Sequence, residues 1–217
     1  MGLIVLVRHG ETDWNKAQRV MGTSETGLNE TGKAQMRWAA RVLGGLSIER
    51  LYCSPYSRTM ESAEILAKEL RLDPTPAQAL REVGYGVWEG RLFSELIENP
   101  NYFRYLKDPS FDPGQGIEPI IRVQERAAAF LEETSKDRPA ATFAVVSHGD
   151  VIRAALAYYM RLPLKEFRRI RIDNGSVSGI QVHAGLAEIK GVNLVPEIGE
   201  LWQRSYIRFN ANVFGSV

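Results

Sequence analysis

Apolar positions gather into three short runs, at residues 3–7, 51–53 and 142–146. Each is rich in β-branched or other apolar residues and too short for a helix, so each predicts a buried strand. Apolar residues at helical spacing follow the second and third runs. Met60, Ala63, Leu66, Ala67 and Leu70 form one face, and Val151, Ile152, Ala155, Leu156 and Tyr159 form another. Strands alternating with amphipathic helices predict an α/β fold, a three-layer α/β/α sandwich around a mostly parallel sheet.

Two more helices are predicted. One spans residues 30–43, with Asn29 as N-cap and Gly44-Gly45 as the stop. The other spans 120–135 and ends before Pro139. A strand pair is expected at 168–172 and 176–182, turning on Asp173-Asn174-Gly175. The stretch 83–119 has no clean period and holds many aromatic residues and prolines, among them Tyr85, Trp88, Phe93 and Pro100. It reads as an insertion of short helices and loop beside the site, in one domain covering 1–217. There is no internal repeat and no low-complexity tract.

Composition narrows the class. With 44% hydrophobic and 24% charged residues, the chain of 217 residues is an ordinary globular domain. A net charge of +1 lacks the Lys and Arg surplus of a general nucleic-acid binder. One cysteine, Cys53, excludes a disulfide framework and a cysteine-built zinc site. No run approaches the ~20 apolar residues of a membrane helix. Arg8 and His9 interrupt the first apolar run too early for a signal peptide, and Leu6 stands where myristoylation needs Ser or Thr. A cytoplasmic location is expected, with no nucleic-acid or membrane partner and with a homodimer left open.

Ligands of parallel α/β sheets bind beyond the carboxyl ends of strands. Arg8-His9-Gly10 follows the first strand, Ser54-Pro55-Tyr56-Ser57-Arg58 the second, and Ser147-His148-Gly149 the third. Two of the 3 histidines therefore sit at strand ends, each before a glycine. If the strands are neighbours, Arg8, His9, Arg58 and His148 converge. Such a cluster suits a phosphoryl group: guanidinium forks match its oxygens, and the helix beginning after His148 aims N–H donors the same way. No acidic cluster stands near to hold Mg²⁺, so no metal and no cofactor is expected. A histidine in that setting can act as a covalent nucleophile.

Residues 6–15, Leu-Val-Arg-His-Gly-Glu-Thr-Asp-Trp-Asn, resemble the opening signature of the histidine phosphatase (phosphoglycerate-mutase-like) superfamily. Ser54-Pro55-Tyr56-Ser57-Arg58 is similar to its second motif. Leu80-Arg81-Glu82 with Gly86-Val87-Trp88-Glu89-Gly90 is similar to its third, and Ser147-His148-Gly149 with Arg153 to its fourth. Order and spacing fit from residue 3 to about 182. The resemblance implies that His9 attacks phosphorus and becomes phosphohistidine. It implies that Arg8, Arg58 and His148 hold the phosphoryl oxygens, with Asn15, Met21, Gly22 and Gly149 lining the substrate site. Glu82 takes the place of the proton donor, and no metal is needed. Glu11 and Glu89, in the same motifs, are rivals to Glu82; for Glu11 the expected role is structural, bonding backbone or an arginine.

Two departures stand out. Met21 precedes Gly22 where relatives more often carry a polar residue. Gly116-Ile117-Glu118-Pro119 keeps the Glu of a common phosphatase run and lacks its Ser. Residues 27–34 nearly match a nucleotide-binding P-loop but fail at Ala34, and read as a loop and helix start. Lys165, Arg168, Arg169 and Arg171 read as a solvated sheet face, and His183 as structural. Trp202, Tyr206 and Phe209 recur at helical spacing and suit a terminal helix packed on the domain, with a lid over the site or a dimer contact as alternatives.

The expected activity is metal-independent hydrolysis of small organic phosphate monoesters through phosphohistidine. The alternative is a cofactor-dependent phosphoglycerate mutase. Mutases usually carry an Arg-Arg pair and a Pro run in the insertion, and the only Arg-Arg pair here is Arg168-Arg169. A non-catalytic phosphate-binding protein is the third reading; relatives of that kind usually lack one of the five residues Arg8, His9, Arg58, Glu82 and His148, all present here.

Overall fold

The computed structural model describes residues 2–183 and 185–195. In chain order these residues form β1 (Gly2–Arg8), the short helix α1 (Asp13–Lys16), α2 (Glu30–Leu43), β2 (Arg50–Cys53), α3 (Ser57–Leu70) and β3 (Pro74–Pro76). Then come α4 (Phe93–Leu96), α5 (Pro100–Lys107), α6 (Ile120–Asp137), β4 (Thr142–Ser147), α7 (Gly149–Tyr159), β5 (Val177–His183) and β6 (Leu186–Leu194). The strands make one sheet in the order β3-β2-β4-β1-β5-β6. The β1/β4, β2/β4 and β2/β3 pairs are parallel, and the β1/β5 and β5/β6 pairs antiparallel.

Alternation along the central strands builds two cores. Ile4, Leu6, Phe143 and Val145 pack with Val123, Ala127 and Leu131 of α6 and Val151 and Ala155 of α7. Val5, Val7, Ala144 and Val146 pack with Met36, Ala39 and Leu43 of α2 and Ala63 and Leu66 of α3. Both faces of the sheet are covered, which is why these strands read as unbroken apolar runs. Burying each such Leu, Ile or Val side chain contributes roughly 1.5–3 kcal/mol. Register then places the chemistry: Arg8 pairs with Ser147, so the residues that follow, His9 and His148, leave the sheet at the same level.

Helix α2 has the expected bounds, with the Asn29 side chain accepting from the Gly32 N–H at 2.9 Å. Gly44 caps it at φ −60°, in the right-handed region, so its freedom to turn left-handed is not used. Helix α6 runs on to Asp137.

The expected strand pair about Asp173-Asn174-Gly175 is corrected. Residues Leu164–Arg169 form a 3-10 helix, and β5 pairs with β1 and β6 instead. Gly175 does take the left-handed conformation (φ +71°), but its N–H donates to the Arg8 and His9 carbonyls at 3.1 Å. The turn is thus pinned to the end of β1 and feeds the chain into the sheet. The hairpin lies one strand later, around residue 185. The aromatic residues of 83–119 also divide: Trp88, Tyr102 and Tyr105 are core, with ring centroids 5.2 and 5.4 Å apart from Trp88, while Phe93 and Phe103 are exposed. Among the described residues no helix is long and apolar enough to cross a membrane. Trp202, Tyr206 and Phe209 lie outside the described residues.

Candidate active site

A cavity of about 270 Å³ opens at the carboxyl ends of β1 and β4. Arg8, His9, Asn15, Met21, Gly22, Glu82 and Gly149 line it. Arg58 and His148 are fully buried beside it. The His9 and His148 ring centroids stand 5.3 Å apart, and the Arg58 Nη2 donates to the Gly22 carbonyl at 2.8 Å. All nine expected residues therefore meet, from five separate parts of the chain.

His9 is buried, and its Nδ1 lies 2.7 Å from the Gly10 carbonyl oxygen. A carbonyl only accepts, so Nδ1 carries the hydrogen and Nε2 keeps a free electron pair. Burial, then the charges of Arg58 and Arg8, hold the His9 pKa well below the usual imidazole value. The ring is neutral at physiological pH. Burial, Arg58 and His9 lower His148 likewise. Its Nε2 meets the Ser54 hydroxyl at 2.7 Å, and its Nδ1 lies 3.8 Å from a Glu82 carboxyl oxygen. With His148 neutral, that approach is not an ion pair.

The two arginines are aimed by backbone carbonyls. Arg8 Nη1 donates to Ile172 O at 2.7 Å, and Arg58 Nη1 to Ser24 O at 2.8 Å. Burial and then Arg153 bring Arg8 down to about 10, so it stays charged at neutral pH. Among the described residues, Arg8 Nε, Arg58 Nε and His148 Nδ1 are buried without a hydrogen-bond partner. Buried donors of this kind are costly unless a ligand satisfies them. Asn15 Oδ1 accepts from the Thr12 backbone N–H and from Asn174 Nδ2, each at 3.1 Å, which leaves its own Nδ2 as the donor. Gly22 needs its missing side chain: at φ +51° a Cβ would stand 2.0 Å from Glu89. Met21 accepts from the Thr12 hydroxyl through sulfur at 3.3 Å.

Glu82 accepts the Val83 N–H at 2.9 Å. Burial first, and Asp150 second, push its pKa up to about 7. Its rivals are engaged elsewhere. Glu89 binds Thr23 and the Tyr85 N–H, and Glu11 accepts from the Asn29 side chain at 2.9 Å, neither backbone nor arginine. Glu118 pairs with Arg126 at 2.9 Å, and Arg126 in turn donates to the carbonyls of Ala79 and Glu82, steadying the Glu82 loop.

Several neighbours had no assigned role in the sequence reading. Ser54, Tyr85, Asp150 and Asn174 all touch the cluster or line the cavity. Ser54 follows a strand and Asp150 follows His148-Gly149, so position alone could have flagged both. The basic stretch is corrected too. Arg168 is only partly solvated: it lies against Phe167 and reaches Asp150 at 3.4 Å. Of the aromatic residues in 83–119, Tyr85 and Phe93 line the cavity. Among the described residues no group of three or more His, Cys, Asp or Glu is placed to hold a metal ion.

Fold and site define an α/β protein able to grip a tetrahedral anion with guanidinium forks and a helix N-terminus, and to offer it one neutral imidazole nitrogen. The chain belongs to the histidine phosphatase superfamily (branch 1), whose family model matches residues 4–195. It is 30% identical over 205 residues to Phosphoserine phosphatase 1 of Hydrogenobacter thermophilus, covering 94% of this chain and 97% of that protein. It is 32% identical over 183 residues to "Probable phosphoglycerate mutase GpmB" of Salmonella choleraesuis, covering 82% and 83%. Among solved structures, a mycobacterial glucosyl-3-phosphoglycerate phosphatase in complex with VO3 superposes with a TM-score of 0.81 at 26% identity, covering 88% of this chain and 98% of that one.

Proposed function

We propose that this protein is a phosphomonoesterase that hydrolyses small organic phosphates through a phosphohistidine at His9, without a metal. The observation that carries the reading is the buried, neutral His9 whose Nδ1–H is fixed on the Gly10 carbonyl, beside the half-buried Arg8 and the buried Arg58. The Nε2 electron pair of His9 attacks phosphorus, and the bond to the ester oxygen breaks. Glu82 gives its proton to that oxygen, and the alcohol leaves. Water then attacks the phosphohistidine, Glu82 takes the proton back, and the P–N bond breaks to release inorganic phosphate. Arg8, Arg58, His148, Asn15 and the α7 N-terminus stabilise the oxygens throughout. A cavity of about 270 Å³ favours a phosphoryl group with a small organic part. Phosphatases named for phosphoserine and glucosyl-3-phosphoglycerate support hydrolysis as the outcome. The reading takes the chain as one domain with 83–119 as an insertion, located in the cytoplasm.

The mutase-named relative favours a second reading, in which a substrate hydroxyl replaces water as acceptor. One experiment separates the two. The protein is incubated with p-nitrophenyl phosphate and with 3-phosphoglycerate, with and without 2,3-bisphosphoglycerate and EDTA. Phosphate release that survives EDTA, is lost in His9→Ala, and comes without isomerisation is the expected result. Isomerisation with little phosphate release makes it a mutase. Inhibition by EDTA that Mg²⁺ reverses overturns the metal-free scheme.

A further inference from the structure

Two carboxyl groups line the cavity, and they are held in opposite ways. Asp150, the second residue of α7, is buried and surrounded by donors. Its Oδ1 accepts Arg153 Nη1 at 2.7 Å, and its Oδ2 accepts the Tyr85 hydroxyl at 2.5 Å and Arg168 Nη1 at 3.4 Å. Those donors come from α7 itself, from the 83–119 stretch and from the 3-10 helix before β5. Glu82 has no such shell. Among the described residues no Lys or Arg lies within salt-bridge distance of its carboxyl group; it has one backbone N–H and the His148 ring. In a buried cavity two nearby carboxyls cannot both carry charge cheaply, and the better-solvated one takes it.

We propose that Asp150 is a positioning residue for the proton of Glu82: held as the carboxylate by Arg153, Arg168 and Tyr85, it forces Glu82 to be the carboxyl that carries the proton. The inference rests on the reading of Glu82 as proton donor and adds what loads it. It also gives the half-buried Arg168 a task, because its Nε and Nη2 are shut off from solvent and a guanidinium so placed gains from a carboxylate partner. Around Glu82, Arg8 and Arg58 favour its charged form, burial and Asp150 oppose it, and the opposing pair is larger. Asp150 itself is driven far below the usual carboxylate range by Arg168, Arg153 and the Tyr85 hydroxyl. The other groups facing Glu82 are His148, which is neutral, the Tyr85 phenol, and Arg126 on its backbone carbonyl.

The test is the pH profile of Asp150→Asn. Removing the charge leaves Arg153 and Arg168 without their anion, so Glu82 ionises at lower pH. For an alkyl phosphate, the alkaline limb of kcat/KM moves down by at least about one pH unit, a roughly tenfold loss at pH 8. For p-nitrophenyl phosphate, whose leaving group needs no proton, the loss at pH 8 is clearly smaller than for the alkyl ester. An unmoved alkaline limb, or equal loss on both esters, overturns the proposal. Should Asp150→Asn fail to fold, carboxyl-carbon NMR of the unaltered protein decides, with Glu82 assigned by Glu82→Gln. A Glu82 midpoint near neutrality, with an Asp carboxyl still ionised well below pH 4, supports it. A Glu82 midpoint in the ordinary carboxylate range overturns it. The underlying reading fails separately, if Glu82→Gln lowers kcat/KM for both esters alike.

Discussion

At the scale of single residues, the site works because charges are rationed by burial. His9 and His148 are kept neutral, while Arg8 and Arg58 stay charged, Arg8 donating to one backbone carbonyl and Arg58 to two. Ser54 is the least conspicuous part of this arrangement. Its hydroxyl is the only hydrogen-bond partner of the His148 ring among the described residues, since His148 Nδ1 has none. Ser54→Ala removes that bond in a site with no water-exposed substitute, at a cost of about 1–2 kcal/mol of stability. We expect it to fold, to lower kcat by about tenfold, and to leave the leaving-group dependence unchanged; full activity would show that His148 needs no anchor. The cluster's main members were legible because four of them follow strands or sit in a helix's first turn. Tyr85 and Arg168 were not, because they reach Asp150 across 65 and 18 residues of sequence and leave no local pattern.

At the scale of elements, the loop after β1 is pressed onto the start of α2. A Cβ on Gly32 would stand 2.1 Å from the Glu11 carbonyl oxygen, and one on Gly10 would stand 2.4 Å from the Gly32 carbonyl oxygen. Alanine in a helix is normally better than glycine by about 1 kcal/mol. Here backbone meets backbone, and neither loop nor helix can yield without moving His9. Gly32→Ala is therefore expected to destabilise by about 2 kcal/mol or more in urea unfolding and to lower activity with it; a rise in midpoint would mean that the contact is looser than it looks. Helices α2, α3 and α7 were legible in sequence because they carry a strong apolar period. The Asp173-Asn174-Gly175 signal marks a true turn, but not one that joins two paired strands. A turn sequence states the φ it needs, and here Gly175 meets that need against Arg8 and His9, far away in sequence. Neither the 3-10 segment before it nor β6 after it has a periodicity strong enough to declare itself.

At the scale of the whole molecule, a site built to hold one proton and refuse two others shapes how stability depends on pH. His9 and His148 have pKa values well below 6.5 in the fold. Their share of stability is present above the unfolded value of about 6.5 and is lost as pH falls below it. Glu82 works the other way. Its pKa is raised from 4.5 to about 7, so its share is present below 4.5 and is lost as pH rises through 7. Between those limits the unfolded chain takes up protons at two histidines that the fold refuses, and the fold keeps one at Glu82 that the unfolded chain has lost. Stability therefore rises with pH from about 4.5 to 6.5, but less steeply than the histidines alone require. Glu82→Gln deletes the opposing contribution. The variant is expected to show a steeper rise over that window and to exceed the parent at pH 8 by roughly 2 kcal/mol, several degrees in Tm, while losing turnover of alkyl phosphates. Urea unfolding of both proteins at pH 5, 6.5 and 8 checks this. Parallel curves would mean that Glu82 has the same proton affinity folded and unfolded, and the cavity would then have no loaded acid to give.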